Sequence, residues 1–251
     1  MDSAGQPAKR FAVVGGGRAG LSISAALVTA GWKLVEVYGR DAPKNLATDI
    51  DAIILAVPDH AIQDAASRLT PGRAVVLHLS GATGLGALQH HKHVGSVHPL
   101  MSLPNPEVGA TRLMSGGFFA VSGHPLACEL VESLGGTIIK IDDAQRPLYH
   151  ATATIAANHL VALCAQVERL CELLQVPCTP YWDLMRTTLD NVIESGAQAS
   201  LTGPASRGDL ETLALHLGAL EPKEHAMYRV LADKAGSLAG HTIDWDEIIK
   251  P

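Results

Sequence analysis

A glycine-rich stretch at residues 15–20 constrains the fold of this chain more than any other feature of its sequence. It follows an apolar run at residues 11–15 and opens a stretch with helical spacing, residues 18–30, which ends at Gly31. In such a pattern Gly15 makes the tight turn, Gly17 lets a pyrophosphate approach the backbone, and Gly20 lets the helix pack on the strand. The helix N-terminus offers amide donors to phosphates. Residues 11–40 are therefore predicted to form a dinucleotide-binding βαβ unit.

Short apolar runs alternate with helical patterns up to about Asp142, and helical patterns alone follow. The predicted strands are residues 11–15, 33–38, 51–57, 74–79, 117–121 and 137–141, and the later helices are 145–176, 181–195, 209–220 and 222–238. Near-continuous apolar runs indicate strands that are covered on both faces, as in a parallel sheet. The predicted class is α/β: a Rossmann-type, mainly parallel sheet domain in residues 1–143, then an all-α C-terminal domain in residues 144–251.

Composition and charge exclude several classes of function. The net charge of −6 argues against a nucleic-acid binder. No apolar run is long enough to predict a membrane span, and the polar residues 1–10 do not resemble a secretory signal, so a cytoplasmic protein is expected. The cysteines, at positions 128, 164, 171 and 178, are predicted to be reduced core thiols. No metal site is predicted: CxxC pairs are lacking, and His90, His91 and His93 are interpreted as a solvated loop.

The end of the second predicted strand decides between NAD and NADP. An acidic residue at its tip would bind the ribose 2′-hydroxyl, but Glu36 is expected inside the strand. Arg40 lies at or just beyond the tip, where a guanidinium can hold a 2′-phosphate in bidentate fashion, with Arg18 assisting. The alternative is a solvated Arg40 paired with Asp41. The predicted cofactor is NADP, and its predicted contacts are Gly15, Gly16, Gly17, Arg18, Ala19, Gly20, Gly39, Arg40, Val57, Pro58, Ser80 and Gly81.

Several segments together resemble a family assigned as NADP-dependent oxidoreductases, which join a Rossmann-like domain to a C-terminal helical domain of unknown function. The resemblance rests on the glycine stretch, on residues 38–40, 56–58, 78–81, 97–100 and 149–159, and most specifically on residues 201–209, with His216 and Leu217 after them. More distantly, the layout is similar to the 6-phosphogluconate dehydrogenase and pyrroline-carboxylate reductase superfamily. That resemblance implies a homodimer through the C-terminal helices and a small-molecule substrate, which it does not identify.

The resemblance also supplies candidate site residues. In the hydroxyacid dehydrogenase branch of the superfamily, a lysine and an asparagine one helical turn apart face the nicotinamide. Asn158 matches the asparagine, whereas Thr154 stands in place of the lysine and cannot act as a cationic acid. Asn158 is therefore a candidate catalytic residue and Thr154 a candidate substrate contact. His150, on roughly the same helix face, is a candidate substitute acid; its alternative role is that of a partly exposed helix histidine.

Three further residues are candidates. His98, expected on a constrained turn before Pro99, either acts in catalysis beside the nicotinamide or only holds that turn. Ser80 binds the carboxamide or a substrate oxygen, or caps a turn. Arg207 binds an anionic substrate or reaches across a dimer to the cofactor, or forms a surface salt bridge. Asp209 is predicted to cap the following helix.

These residues support three functional hypotheses. The first is an NADP(H)-dependent oxidoreductase that acts by hydride transfer on a small carbonyl or imine compound. The second, motivated by Thr154, is a non-catalytic NADP(H)-binding regulatory or assembly protein. The third is a related protein that binds another nucleotide or a deazaflavin.

Overall fold

A computed structural model of the chain describes residues 7–39, 42, 44–46 and 49–248. Internal contacts group the chain into two compact units, Met1–His159 and Leu160–Pro251, which we call the sheet unit and the helical unit. The boundary predicted from the sequence lies between residues 143 and 144, so residues 144–159 are grouped here with the sheet and not with the helices that follow.

The sheet unit is organised around seven strands in the order β2-β1-β3-β4-β5-β6-β7. They are β1 (Arg10–Val14), β2 (Lys33–Tyr38), β3 (Ala52–Leu55), β4 (Val75–His78), β5 (Val94–Pro99), β6 (Phe118–Gly123) and β7 (Thr137–Lys140). Neighbouring strands are parallel except β5 and β6, which are antiparallel. The predicted α/β class with a mainly parallel sheet is therefore confirmed. The chain leaves β1 toward β2 on one side and returns to β3 on the other, which places the topological switch point beside β1.

Strand β5 is the element that the sequence pattern does not predict, and His98 lies within it. The expectation that His98 sits on a turn is wrong. The local sequence contains glycine and proline, which disfavour strands. Pairing with β4 on one side and β6 on the other supplies the strand instead, with His98 opposite Ala120.

In the described part of the sheet unit, five α-helices accompany the sheet: α1 (Arg18–Thr29), α2 (Ile62–Arg68), α3 (Pro106–Leu113), α4 (Leu126–Ser133) and α5 (Arg146–Thr154). Apolar side chains of α1, α3 and α4 pack with one face of the strands in a single buried cluster, which includes Val97 and Val121. Helix α2 packs on the other face, where Ile62 joins a cluster with Val76. Both faces of the sheet are therefore covered, as the apolar runs predicted.

The second face becomes polar across β4, β5 and β6. Because side chains alternate along a strand, Ser96, His98 and Ser122 lie opposite Val97 and Val121, and His78 lies on the same side as Val76. His78 and Ser96 are fully buried. Helix α5 covers this stripe, since its first residue, Arg146, hydrogen-bonds both serines.

The predicted long helix over residues 145–176 is observed as three consecutive segments without an intervening loop. Helix α5 is followed by a π-helical segment, Ile155–His159, and then by α6 (Leu160–Leu174). Single π turns inside α-helices occur frequently at functional sites.

The helical unit consists of α6, α7 (Thr179–Ser195), α8 (Ala197–Ser200), α9 (Pro204–Arg207), α10 (Leu210–Ala219), α11 (Pro222–Leu238) and α12 (Trp245–Ile248). Its core contains Leu213, Leu217 and Trp245. Glu224 is buried between α6 and α11 and accepts hydrogen bonds from Arg169 and Gln166. Within the described ranges, no helix has both the length and the apolarity that a membrane span requires.

Candidate active site at the carboxyl edge of the sheet

The glycine stretch forms a tight turn between β1 and α1 that only glycine can build at two positions. Gly15 has a φ of +117°, and a Cβ atom there would overlap the carbonyl oxygen of Ala56. A Cβ atom on Gly20 would overlap the carbonyl oxygen of Gly15. These two glycines therefore allow the close approach of β1, β3 and α1. The tight turn at Gly15 and the packing of helix on strand at Gly20 are the roles that the sequence pattern predicted.

Gly17 differs from those two because a Cβ atom there would meet no described atom within 4 Å. It is the N-cap residue of α1, and no side chain caps the helix among the described residues. The first turn of α1 has no acidic residue. Its leading amide groups, those of Arg18, Ala19 and Gly20, have no partner within the helix, so they can bind an anion. This open, uncapped turn fits a pyrophosphate.

A cavity of about 380 Å³ lies at the same edge of the sheet, beside the switch point. Val14, at the end of β1, and Val57 and Pro58, after β3, contribute to its wall, together with residues of α2. Ligands of open α/β sheets bind in this position. Val57 and Pro58 were predicted cofactor contacts, and they lie where an adenosine moiety could fit.

The residues expected to distinguish NADP from NAD are only partly described. Glu36 lies within β2 and not at its tip, as the sequence predicted. Gly39 follows the strand directly. Arg40 and Asp41 lie outside the described residues.

Ser80 and Gly81 follow β4, at the same edge of the sheet. The Ser80 hydroxyl accepts hydrogen bonds from the backbone N–H groups of Ala82 (3.2 Å) and Thr83 (2.9 Å), and it also bonds the Thr83 hydroxyl. Ser80 is 7% exposed. Of the two roles predicted for this hydroxyl, the structure shows turn capping.

Arg146 is fully buried and connects four parts of the sheet unit, although the sequence analysis did not single it out. Its guanidinium donates to Asp143, 2.8 Å away, to the hydroxyls of Ser96 and Ser122, and to the Ser80 carbonyl at 3.4 Å. Asp143 also accepts the backbone N–H of Leu85 at 2.8 Å. Arg146 thus holds α5, β5, β6 and the loop after β4 in one arrangement.

His98 lies above this network, beside Tyr149 and His150 of α5. Its Nδ1 atom is 2.7 Å from the Tyr149 hydroxyl, and its ring centroid is 5.9 Å from that of His150. Because His78 pairs with Ser96, His98 is level with the loop that follows β4. A Cβ atom on Gly81 would lie 2.9 Å from Nε2 of His98 and 2.7 Å from the His150 ring. The structure therefore brings together His98, His150, Ser80 and Gly81.

Buried His78 and half-buried His98 are both neutral at pH 7. Burial lowers the pKa of His98 to about 4, with His150 and Arg146 acting in the same direction and Asp59 opposing them. Burial and the Arg146 charge lower the pKa of His78 to about 4. Nδ1 of His78 accepts the Ser80 N–H. Among the described residues, Nε2 of His98 has no hydrogen-bond partner and, unlike Nε2 of His78, is not sealed from solvent.

The remaining candidates lie outside this cluster. Thr154 ends α5, and Asn158 is exposed in the π-helical segment. Arg207, in the helical unit, is 3.8 Å from Asp209 and largely exposed. Asp209 caps α10 by accepting the backbone N–H of Thr212 at 3.1 Å, which confirms its predicted structural role.

The histidine segment at residues 90–93 needs one correction, and so does the prediction of four core cysteines, since Cys128, Cys164 and Cys178 are only half-buried. His91 is not solvated: it is buried, and its Nε2 atom is 2.9 Å from the Ala66 carbonyl oxygen of α2. No group of three or more potential ligands is placed to hold a metal ion in the described part of the chain. Cys128, Cys164, Cys171 and Cys178 are free thiols, of which Cys171 is buried.

Comparison with known proteins supports the same architecture. Residues 120–235 match the family model described as a domain of unknown function, DUF2520. A Bacteroides fragilis protein assigned as an NADP oxidoreductase has 17% identity and a TM-score of 0.77, with 92% of this chain and 98% of that chain covered. A comparison with curated proteins found no match.

Two further solved structures are of enzymes with a named activity. An imine reductase from Aspergillus terreus, in complex with NADPH4 and dibenz[c,e]azepine, has 14% identity and a TM-score of 0.64, covering 97% of this chain and 99% of its own. A Plasmodium falciparum pyrroline carboxylate reductase with NADP bound has 12% identity and a TM-score of 0.57, covering 92% and 99%. The predicted resemblance is confirmed: the chain has an NADP-dependent oxidoreductase-like fold, with a Rossmann domain and a helical C-terminal domain.

Proposed function

We propose that this protein is an NADP(H)-dependent oxidoreductase that reduces or oxidises a small carbonyl or imine compound by hydride transfer. The observation that carries the proposal is the position of His98. Its free Nε2 atom lies beside Gly81, at the sheet edge where the glycine turn and the cavity at the switch point also lie. The glycine turn, which fits a phosphate, and a side chain that can carry a proton therefore lie at the same edge of the sheet.

The residues present fit the dinucleotide. Gly16, Gly17 and the first amides of α1 would hold the pyrophosphate, and Val57 and Pro58 would contact the adenosine. Gly81 would let the nicotinamide ribose come close to the backbone. When bound, NADPH would supply a hydride from C4 of its nicotinamide.

The side chains around Gly81 would supply the proton that a reduction also requires. His98 would donate the proton of Nε2, which lies beside Gly81, to the oxygen or nitrogen of the substrate. His150 would form a second wall of the site. Asn158, Thr154 and Arg207 are proposed to bind the substrate or orient it.

The experiment that tests this function is NADPH oxidation with a panel of ketones, aldehydes and cyclic imines, followed at the absorbance of the reduced nicotinamide. We expect turnover with at least one class of compound. The alternative, a non-catalytic NADP(H)-binding protein, is favoured by Thr154 in place of a lysine. It predicts tight NADPH binding without turnover of any panel compound. A thermal-shift comparison with other nucleotides and a deazaflavin separates the third hypothesis from both.

We further propose that the cofactor is NADP(H) and not NAD(H), because of Arg40. Replacing Arg40 with alanine should weaken NADPH binding about tenfold, since a charge-assisted pair with the 2′-phosphate is lost. NADH binding should change little. Fluorescence titration of both cofactors measures this, with Arg73→Ala as a control at a cationic residue near the start of β4. Equal affinity of the unmodified protein for NADPH and NADH would contradict the proposal.

A homodimer through the C-terminal helices is the third part of the proposal. Helix α7 has no buried residue, although all of its residues are described. Leu184, Leu189 and Ile193 are 62%, 52% and 74% exposed. A helix with an apolar stripe usually gains its stability by burying that stripe. A second copy of the chain is the partner that the resemblance implies.

The double variant Leu184→Asp, Ile193→Asp should therefore be monomeric at concentrations where the unmodified protein is dimeric, because two charges would enter an apolar interface. Sedimentation equilibrium measures the association constant. Val28→Asp is the matched control, since Val28 is 49% exposed on α1 of the sheet unit. A monomeric unmodified protein, or a double variant that still dimerises, would refute this interface.

A further inference from the structure

Tyr149 makes the only hydrogen bond that the His98 ring forms with a described residue. Its hydroxyl is 2.7 Å from Nδ1, and the two rings are perpendicular, with centroids 5.5 Å apart. Tyr149 lies one helical turn after Arg146, whose buried guanidinium fixes the start of α5 on the sheet. The contact is therefore set by the same network that holds the strand carrying His98.

We infer that Tyr149 is a positioning residue that keeps the proton of the His98 ring on Nε2 and donates its own proton to Nδ1 when the Nε2 proton leaves. This inference rests on the proposed function. It adds a residue that the resemblance did not supply, and it assigns a direction to the hydrogen bond between the two side chains.

The direction follows from the inventory of donors and acceptors. Burial raises the pKa of Tyr149, so its hydroxyl keeps its proton at neutral pH. Among the described residues, only Nδ1 of His98 is placed to accept it. If Nδ1 accepts, a neutral imidazole must carry its proton on Nε2. Nε2 is the nitrogen beside Gly81, so the proton faces the place proposed for the substrate.

The proton balance of a reduction is then complete. A hydride adds to the substrate carbon while Nε2 of His98 gives its proton to the oxygen or nitrogen. Nδ1 takes the proton of the Tyr149 hydroxyl at the same time, so the ring stays neutral. After the product has left, Nε2 takes up a proton from water and Nδ1 returns its proton to the Tyr149 oxygen. One solvent proton and one hydride are consumed for each product molecule, and the ring ends the cycle in its starting tautomer.

His150 cannot donate a proton to Nδ1 of His98, although its ring also contacts the His98 ring. The two rings have centroids 5.9 Å apart, and no hydrogen bond joins them among the described contacts. The titratable or charged groups that act on His98 are Tyr149, His150, Asp59 and Arg146. Of these, only Tyr149 can exchange a proton directly with Nδ1.

The variant Tyr149→Phe removes the hydroxyl and keeps the ring. We expect kcat to fall by at least about tenfold, because the correct tautomer and the relay are both lost. The Kd for NADPH should stay within about twofold, since general acid–base chemistry does not depend on cofactor affinity. The pH profile of kcat should shift. In mixtures of light and heavy water, the unmodified protein should show two protons in flight and the variant one.

The chain contains a matched control in the helical unit. Nδ1 of His216 is 2.6 Å from the Tyr228 hydroxyl, and those rings are also nearly perpendicular. Tyr228→Phe should leave kcat, the pH profile and the number of protons unchanged. If both variants lose activity equally, a general loss of stability explains the effect and the relay is refuted.

A second readout does not require turnover. Nitrogen-15 NMR of the histidine side chains reports the tautomer of His98, with His98→Gln to assign its signals. We expect Nε2–H in the unmodified protein and a mixture of tautomers in Tyr149→Phe. An unchanged tautomer in the variant would overturn the inference even if the protein is active. If the tautomer changes as expected but the protein reduces no compound, the role of Tyr149 in fixing the tautomer stands. Only the proposed function is then rejected.

Discussion

Replacing His98 with alanine is expected to lower kcat/KM by ~100-fold or more, because a positioned general acid contributes roughly 100- to 10,000-fold. The His98 ring would no longer offer Nε2 beside Gly81, and water would enter in its place. Binding of NADPH should be nearly unchanged, since the glycine turn is built by β1 and α1. Steady-state kinetics and a fluorescence titration of NADPH measure the two quantities separately.

His93→Ala is the matched control for this variant. His93 directly precedes β5, whereas His98 lies near the other end of the same strand. The control should retain kcat/KM within about twofold, because the His93 ring packs against His124 away from Gly81. Asn158→Ala should also lower activity, in line with its proposed contact to the substrate. If His98→Ala keeps more than a tenth of the activity, His98 is not the acid.

A large loss of NADPH affinity is expected for Gly17→Ala. The added Cβ would enter open space, so the fold and its thermal stability should persist. The methyl group would occupy the approach to the first amides of α1, and the loss of one or two charge-assisted hydrogen bonds costs about 3 kcal/mol. That corresponds to an NADPH affinity lower by ~100-fold. Isothermal titration calorimetry measures the dissociation constant for NADPH.

Gly218→Ala provides the comparison for Gly17→Ala. A Cβ atom at Gly218 also meets nothing within 4 Å, and this glycine lies in α10 of the helical unit. The Gly218 variant should bind NADPH as the unmodified protein does. An unchanged affinity in Gly17→Ala would mean that the pyrophosphate does not lie on this turn. A loss of folding in Gly17→Ala would contradict the open space around it.

The sequence predicts the glycine turn better than the arrangement of side chains around His98, for a physical reason. The glycine turn, its strand and its helix are one local unit, so the spacing of Gly15, Gly17 and Gly20 carries their geometry. The late helices are also local, and their periodicity predicts them. By contrast, β5 exists because β4 and β6 pair with it, and those partners are far apart in the chain.

The roles of Arg146 and Tyr149 also depend on segments far apart in the chain, so the local sequence does not predict them. A lone arginine in a sequence is expected at the surface, yet Arg146 is fully buried because two serines, a carbonyl and Asp143 satisfy it. The two serines and the carbonyl come from three other segments of the chain. The only local hint is the spacing of three residues between Asp143 and Arg146. Tyr149 lay within a segment that carried the resemblance, but its role depends on a strand that the pattern did not predict.

The most direct test of hydride transfer by this protein is the transfer of deuterium from NADPH labelled at C4 of the nicotinamide. The protein would be incubated with each stereospecifically labelled cofactor and the panel of carbonyl and imine compounds, and the products analysed by mass spectrometry. Hydride transfer from NADPH should leave one deuterium on the reduced carbon of a product, from one of the two labelled positions only, and His98→Ala should lose this transfer. Tight binding of NADPH with no deuterium in any panel compound would contradict it.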